Sequence, residues 1–150
     1  MAEEEDEAGA LWRSVGWDVW GRPDGPWRGG VTSTSRYLMG GRFLASGRNI
    51  EAESWLTRAA EAGHPGAFFR LALVCLRTGR PGEALEMLVD ATDRGHKDAD
   101  RILGAWDDCH EESVSADDGF EHVRDAVAEP QDPAFAAEVA HLVAGLWRQT

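Results

Sequence analysis

The densest group of side chains able to do chemistry is Asp107-Asp108-Cys109-His110-Glu111-Glu112. Carboxylate, thiolate and imidazole are all metal ligands, and Asp107 and His110 share a helical face at i, i+3. Contiguous residues on a helix point around its axis, however, and the segment lacks the spaced Cys and His pairs of a zinc site. No metal site is expected here; a small metal-dependent enzyme built on Asp107 and His110 is the remote alternative. His64 and His96 each follow a glycine at a helix end, where an imidazole serves capping better than catalysis. Ser, His and Asp occur without a strand–turn–helix nucleophile motif. The glycine-rich stretch 21–30 has neither a preceding strand nor the lysine of a phosphate loop. The residues therefore point to no enzyme and no cofactor.

What must position these groups is a chain of 150 residues, 43% hydrophobic, with a formal net charge of −12. That length suits one ordinary domain. The acid gathers toward the C-terminus, where residues 101–150 carry 3 basic and 11 acidic groups. Such a field repels a phosphate backbone, so nucleic acid is not the expected partner. No apolar run reaches membrane-spanning length and the first residues are acidic, so the expectation is a cytoplasmic protein with no membrane partner. Two cysteines, Cys75 and Cys109, are too few for a disulfide framework and are expected to stay reduced.

An internal repeat emerges when 37–67 is laid over 69–99, which matches 10 of the 31 positions. The matches include Leu44 with Leu76, Ala52 with Ala84, Leu56 with Leu88, Ala59 with Ala91, and Gly63-His64 with Gly95-His96. Each unit reads as two antiparallel helices. Gly63 ends one helix and Pro65 opens the next; Gly79, Pro81 and Gly95 repeat that punctuation. Asn49 is the expected N-cap of the helix bearing Ala52, Trp55, Leu56 and Ala59. The stretch Phe68 to Leu76 is apolar nearly all round, broken chiefly by Arg70, and belongs at the centre of a stack. A third copy keeps Leu103 and Gly104 in register, then meets Asp107 and Asp108 where Cys75 and Leu76 stood. It is expected to end there as half a repeat with a polar edge.

The register of Gly40, Phe43, Ala52, Leu56 and Ala59, then Ala72, Cys75, Ala84, Leu88 and Ala91, resembles that of tetratricopeptide repeats. The phrases Trp55 to His64 and Ala91 to His96 resemble the Sel1-like branch, with its Ala-Ala and Gly-His punctuation. The resemblance covers residues 33 to about 110. It implies an all-α fold, a short tetratricopeptide or Sel1-like helical-hairpin solenoid of about two and a half repeats, that binds proteins and does no chemistry itself.

The ends read differently. Ser115-Ala116-Asp117-Asp118 resembles a capping box ahead of Phe120, Val123 and Val127, in a helix of about 12 residues. Asp132 is expected to cap a last helix whose stripe is Phe135, Val139, Leu142 and Leu146, covering the open end of the solenoid. The expected division is a Trp- and Gly-rich acidic arm at 1–32, repeats at 33–112 and two C-terminal capping helices at 113–150. Trp12, Trp17, Trp20 and Trp27 in the arm form a candidate second interface.

Partner binding by hairpin stacks falls to the first helix of each hairpin. Tyr37, Phe69 and Arg101 lie one repeat apart from each other, and the expected groove is Tyr37, Phe69, Leu73, Arg77, Arg101 and Asp108. Apolar groups there would anchor a protein segment and the arginines would clamp a carboxylate. The opposing reading makes Phe69 and Leu73 core. The expected function is non-catalytic protein recognition, as an adaptor, chaperone-like or regulatory subunit. The alternative is a structural protein forming a homodimer through the arm or the last helix.

Overall fold

A computed structural model describes residues 32–149, in which seven helices and no strand occur. They are α1 (Ser33–Ala45), α2 (Asn49–Glu61), α3 (Pro65–Arg77), α4 (Pro81–Asp93), α5 (Lys97–Glu112), α6 (Ala116–Arg124) and α7 (Ala136–Gln149). The first four are 13 residues each, joined by three-residue links. Helix plus link is therefore a constant half-unit, and two of them make the repeat that lays 37–67 over 69–99.

The links obey one backbone rule. Gly47, Gly63, Gly79 and Gly95 all adopt φ between 75° and 88°, the left-handed region. At the first of them Gly47 N–H donates to Leu44 O at 3.0 Å and Arg48 N–H to Phe43 O at 2.8 Å, the paired bonds of a Schellman turn. The same pairs recur at Gly63, Gly79 and Gly95. The helix starts are more varied. Thr32 Oγ1 accepts from Ser35 N–H, and Ser115 Oγ from Asp118 N–H, as its sequence predicts. Asn49, expected as a cap, is instead the first helical residue after Arg48, which offers no side-chain cap bond. His96 caps the start of α5, its Nδ1 accepting from Ala99 N–H at 3.4 Å.

The described residues divide into two units, one ending at His64 and one beginning at Pro65. In the first, α1 packs on α2 through Met39, Phe43 and Leu44 against Ala52, Leu56 and Ala59, all buried. Their approach is close enough that a Cβ at Gly40 would lie 2.5 Å from Leu56 Cγ. In the second unit α3 is buried nearly all round, from Gly66 to Cys75 with only Arg70 partly exposed, as its composition requires. It pairs with α4 through Ala84, Leu88 and Ala91. Helix α5 follows, burying Ala99, Ile102, Ala105 and Cys109. Leu103, which keeps the repeat register, is half-buried, and Ile102 takes the buried place.

The repeat register continues past α5. Ala84, Leu88 and Ala91 of α4 fall on Ala116, Phe120 and Val123 of α6, of which Phe120 and Val123 are buried. The punctuation differs: α5 is 16 residues and α6 only 9, and the turn between them falls at Ser113, a non-glycine at φ 54°. Helix α6 is also shorter than its sequence predicts, leaving Val127 outside it. Helix α7 buries Ala136, Val139, Ala140, Val143, Ala144 and Trp147. The expected stripe is thus turned: Phe135 and Val139 are buried, while Leu142 and Leu146 sit half-exposed at its edge.

Gly40 and Gly104 occupy the same register position in different surroundings, since a Cβ at Gly104 meets nothing within 4 Å. Gly104→Ala is expected to stabilise the protein by about 0.5–1 kcal/mol through helix propensity. Gly40→Ala is expected to destabilise it by about 1–3 kcal/mol, because fully buried Leu56 has little room to yield. Urea denaturation of both variants checks the opposite signs.

Candidate functional site

Arg70, Leu73 and Arg77 follow one another at helical spacings of three and four and share one face of α3. Leu73 is fully buried. The two arginines that flank it are held by carboxylates from the C-terminal part of the chain. Arg70 donates from Nε to Asp132 Oδ2 at 2.8 Å and from Nη2 to Oδ1 at 3.2 Å. Arg77 donates from Nε and Nη2 to the two oxygens of Glu138, each at 2.7 Å. Both are two-pronged pairs, whose planar geometry fixes direction as well as charge. The Arg70 guanidinium also stands over the Phe135 ring, 4.9 Å from its centroid.

The segment leading into α7 is fastened at three further points. Asp98, in the first turn of α5 and fully buried, accepts from the backbone N–H of Gln131 at 2.8 Å and of Asp132 at 2.7 Å. Gln131 Oε1 accepts from Lys97 N–H, one of the donors that a helix start leaves without an intrahelical partner. Arg101 Nη1 donates to Glu129 O at 2.7 Å. Asp132, expected to cap α7 with its side chain, gives that carboxylate to Arg70. Its backbone carbonyl instead accepts from the N–H groups of Phe135 and Ala136.

The pair at Arg77 shapes its own titration. The hydrogen bond from Arg77, and then its charge, hold the Glu138 carboxyl below the usual glutamate range against the opposing effect of burial. The reciprocal bond raises the Arg77 guanidinium. Cys109 is pushed up, first by burial and then by the charges of Asp108 and Glu112, so it stays a thiol and a poor nucleophile at neutral pH. Both cysteines are buried and unbridged.

The residues expected in the groove do not share one surface. Tyr37 stacks on His64, with ring centroids 4.2 Å apart, and Phe69 on His96 at 4.4 Å. Arg101, next in that register, reaches the Glu129 carbonyl. Each therefore grips the chain where its own hairpin ends. Phe69 and Leu73 expose no surface to a partner, because the first is covered by this stacking and the second lies between the two arginines. Arg77 lies against α7. Asp108 faces a shallow cleft of about 590 Å³ between α5 and α6, shared with Arg101, Asp118, Glu121, His122 and Asp125. There Asp108 Oδ2 is 3.7 Å from His122 Nε2. Trp12, Trp17, Trp20 and Trp27 lie outside the described residues. Among the described residues no group of three or more His, Cys, Asp or Glu side chains is arranged to hold a metal ion. His110 instead packs edge-on against Trp147.

Arg70, Asp98, Asp132 and Glu138 are not among the residues that the repeat pattern singles out for binding. The one local signal is a charged residue breaking an apolar helix at Arg70, two turns before Arg77. The acidic partners of these arginines lie far along the chain and outside the repeat.

The family profile of plant tetratrico peptide repeats matches residues 43–132, more than half of the chain. The chain belongs to this family. No curated protein and no solved structure matches it. Tetratricopeptide repeats generally mediate contacts between proteins and are typically non-catalytic scaffolds. The match begins in α1 and runs through α6 to Asp132, so the family pattern includes the irregular third hairpin. No helix among the described residues is long and apolar enough to cross a membrane.

Because the folded Glu138 titrates below its unfolded value, its pairing contributes stability at neutral pH that is lost as pH falls through the folded value. The stability difference between the native tetratricopeptide protein and Glu138→Gln is expected to be open at pH 7 and to close below the ordinary glutamate range, about pH 4. Urea denaturation at a series of pH values checks this.

Proposed function

We propose that the protein is a non-catalytic recognition module, an adaptor or regulatory subunit, that receives a segment of a partner protein on the face made by α3 and α5, the first helices of its second and third hairpins. The observation that carries this reading is the pair of arginines on α3, Arg70 and Arg77. They stand two turns apart on one helical face, each with its guanidinium fork directed at a carboxylate. Arginines so placed are suited to planar recognition of acidic side chains. The acidic surface elsewhere disfavours phosphate-bearing ligands and leaves this cationic face as the exception. Two buried, unbridged cysteines support a reducing compartment such as the cytoplasm.

The test is affinity capture with the full chain as bait, beside Arg70→Glu/Arg77→Glu shown by circular dichroism to be folded. The expected outcome is a stoichiometric protein partner retained by the native chain and lost by the variant. Retention of the same partner by both baits would remove this face from the function.

A further inference from the structure

Helix α7 does not continue the stack. The links between α1 and α5 are three residues long, whereas the whole stretch 125–135 separates α6 from α7. A helix stacked next in line would meet only the hairpin before it. Helix α7 instead packs on α6 and also reaches back to α5 and α3, so it lies across first helices of two successive hairpins. Resting on the reading given under Proposed function, we propose that the segment 129–149 is a ligand held in cis on the recognition face, and that the partner is a protein segment of the same chemistry: an amphipathic helix with one carboxylate in the turn that leads into it and one in its first turn, placed as Asp132 and Glu138 are, and apolar residues between and after them.

The chemistry is read from the occupant. Asp132 and Glu138 supply the carboxylates for Arg70 and Arg77. Phe135 lies under the Arg70 guanidinium, and Val139 and Val143 continue the apolar face. Charge complementarity favours an acidic occupant, since in residues 65–80 of this strongly acidic protein every charged side chain is an arginine. The hold is strong in one way and weak in another. Tethering gives the cis segment an effective concentration in the millimolar range. The Arg77–Glu138 pair is nonetheless partly open to water, with the Glu138 side chain 41% exposed. A competing helix can therefore engage Arg77 first and replace α7 on α3 while α7 stays on α6.

The test uses the full chain and a fluorescein-labelled peptide of residues 129–149, with binding read by anisotropy. The occupancy of α3 by α7 is read by hydrogen exchange of the two helices. Glu138→Arg places like charges together and is expected to speed exchange in α3 and α7. It is also expected to bind the peptide on the order of tenfold more tightly than the native chain. Arg77→Glu/Glu138→Arg restores an opposite pair in cis and is expected to bring both readouts back to the native values. Should Glu138→Arg fail to fold, Glu138→Gln is read in the same way. Slow exchange and unchanged peptide affinity in the single variant would make α7 a fixed part of the core and overturn the cis-ligand proposal, leaving the partner-capture test to stand alone. Fast exchange without peptide binding would show an open face that takes no such helix, and would remove both readings. Tight binding in the double variant as well would place the peptide elsewhere and overturn the proposal.

Discussion

Each repeat helix has to stop, reverse and restart within a three-residue link, and the left-handed glycine that permits this sets the dimensions of the repeat region. Four evenly spaced glycines close four Schellman turns, so four helices have equal length and their faces come back into register at every second glycine. Where the glycine is missing, regularity ends. The next position in that series is Glu111, which is helical, and α5 runs on until Ser113 takes the left-handed conformation at a cost of roughly 1 kcal/mol. The longer α5 and shorter α6 follow from that displacement, and Phe120 and Val123 still arrive where Leu88 and Ala91 predict them.

A second constraint is electrostatic. With 11 acidic and 3 basic residues in 101–150, the C-terminal segment carries an excess of like charge that cations outside it relieve. Helix α3 provides two of them, Arg70 and Arg77, beside the segment's own Arg101 on α5. The buried Asp98 runs against this trend and is tolerated because two backbone N–H groups donate to it, with Arg101 4.0 Å away. These polar contacts set where the segment lies more than how firmly it is held. A pair as exposed as Arg77–Glu138 is worth at most about 1 kcal/mol net, whereas burying a single valine stabilises by about 1.5–3 kcal/mol. Val139 and Val143 supply cohesion, and the arginines supply register.

Local rules made most of the repeat legible in the sequence. Gly47 to Gly95, Pro65, Pro81 and Ser115 act through their own backbone conformation or a neighbour one turn away, so type and spacing were enough. The burial of α3 followed from its composition. What the sequence did not yield depends on partners distant along the chain. Asp132 looks like a helix cap in isolation, and only the approach of Arg70, 62 residues earlier, claims its carboxylate. The stripe on α7 was turned because Ala136, Ala140 and Ala144 are small enough to be the contact face against neighbours that periodicity cannot identify. The expected groove pattern mixed two roles, because recurrence at the repeat spacing marks residues that do the same job in each hairpin without saying which job it is.

That job, for Tyr37, Phe69 and Arg101, is to secure the far end of their own hairpin. The first two stack on His64 and His96, flat rings suited to aromatic partners. In the third hairpin, Ala128 stands where the histidine would be, and a stacking ring at position 101 would find nothing to stack on. Arginine suits the changed environment, because its reach lets Nη1 bond to the neighbouring Glu129 carbonyl. The exchange of an aromatic for an arginine thus belongs with the loss of the histidine. Together they mark the place where the chain leaves its repeat and turns back across α5 toward α3.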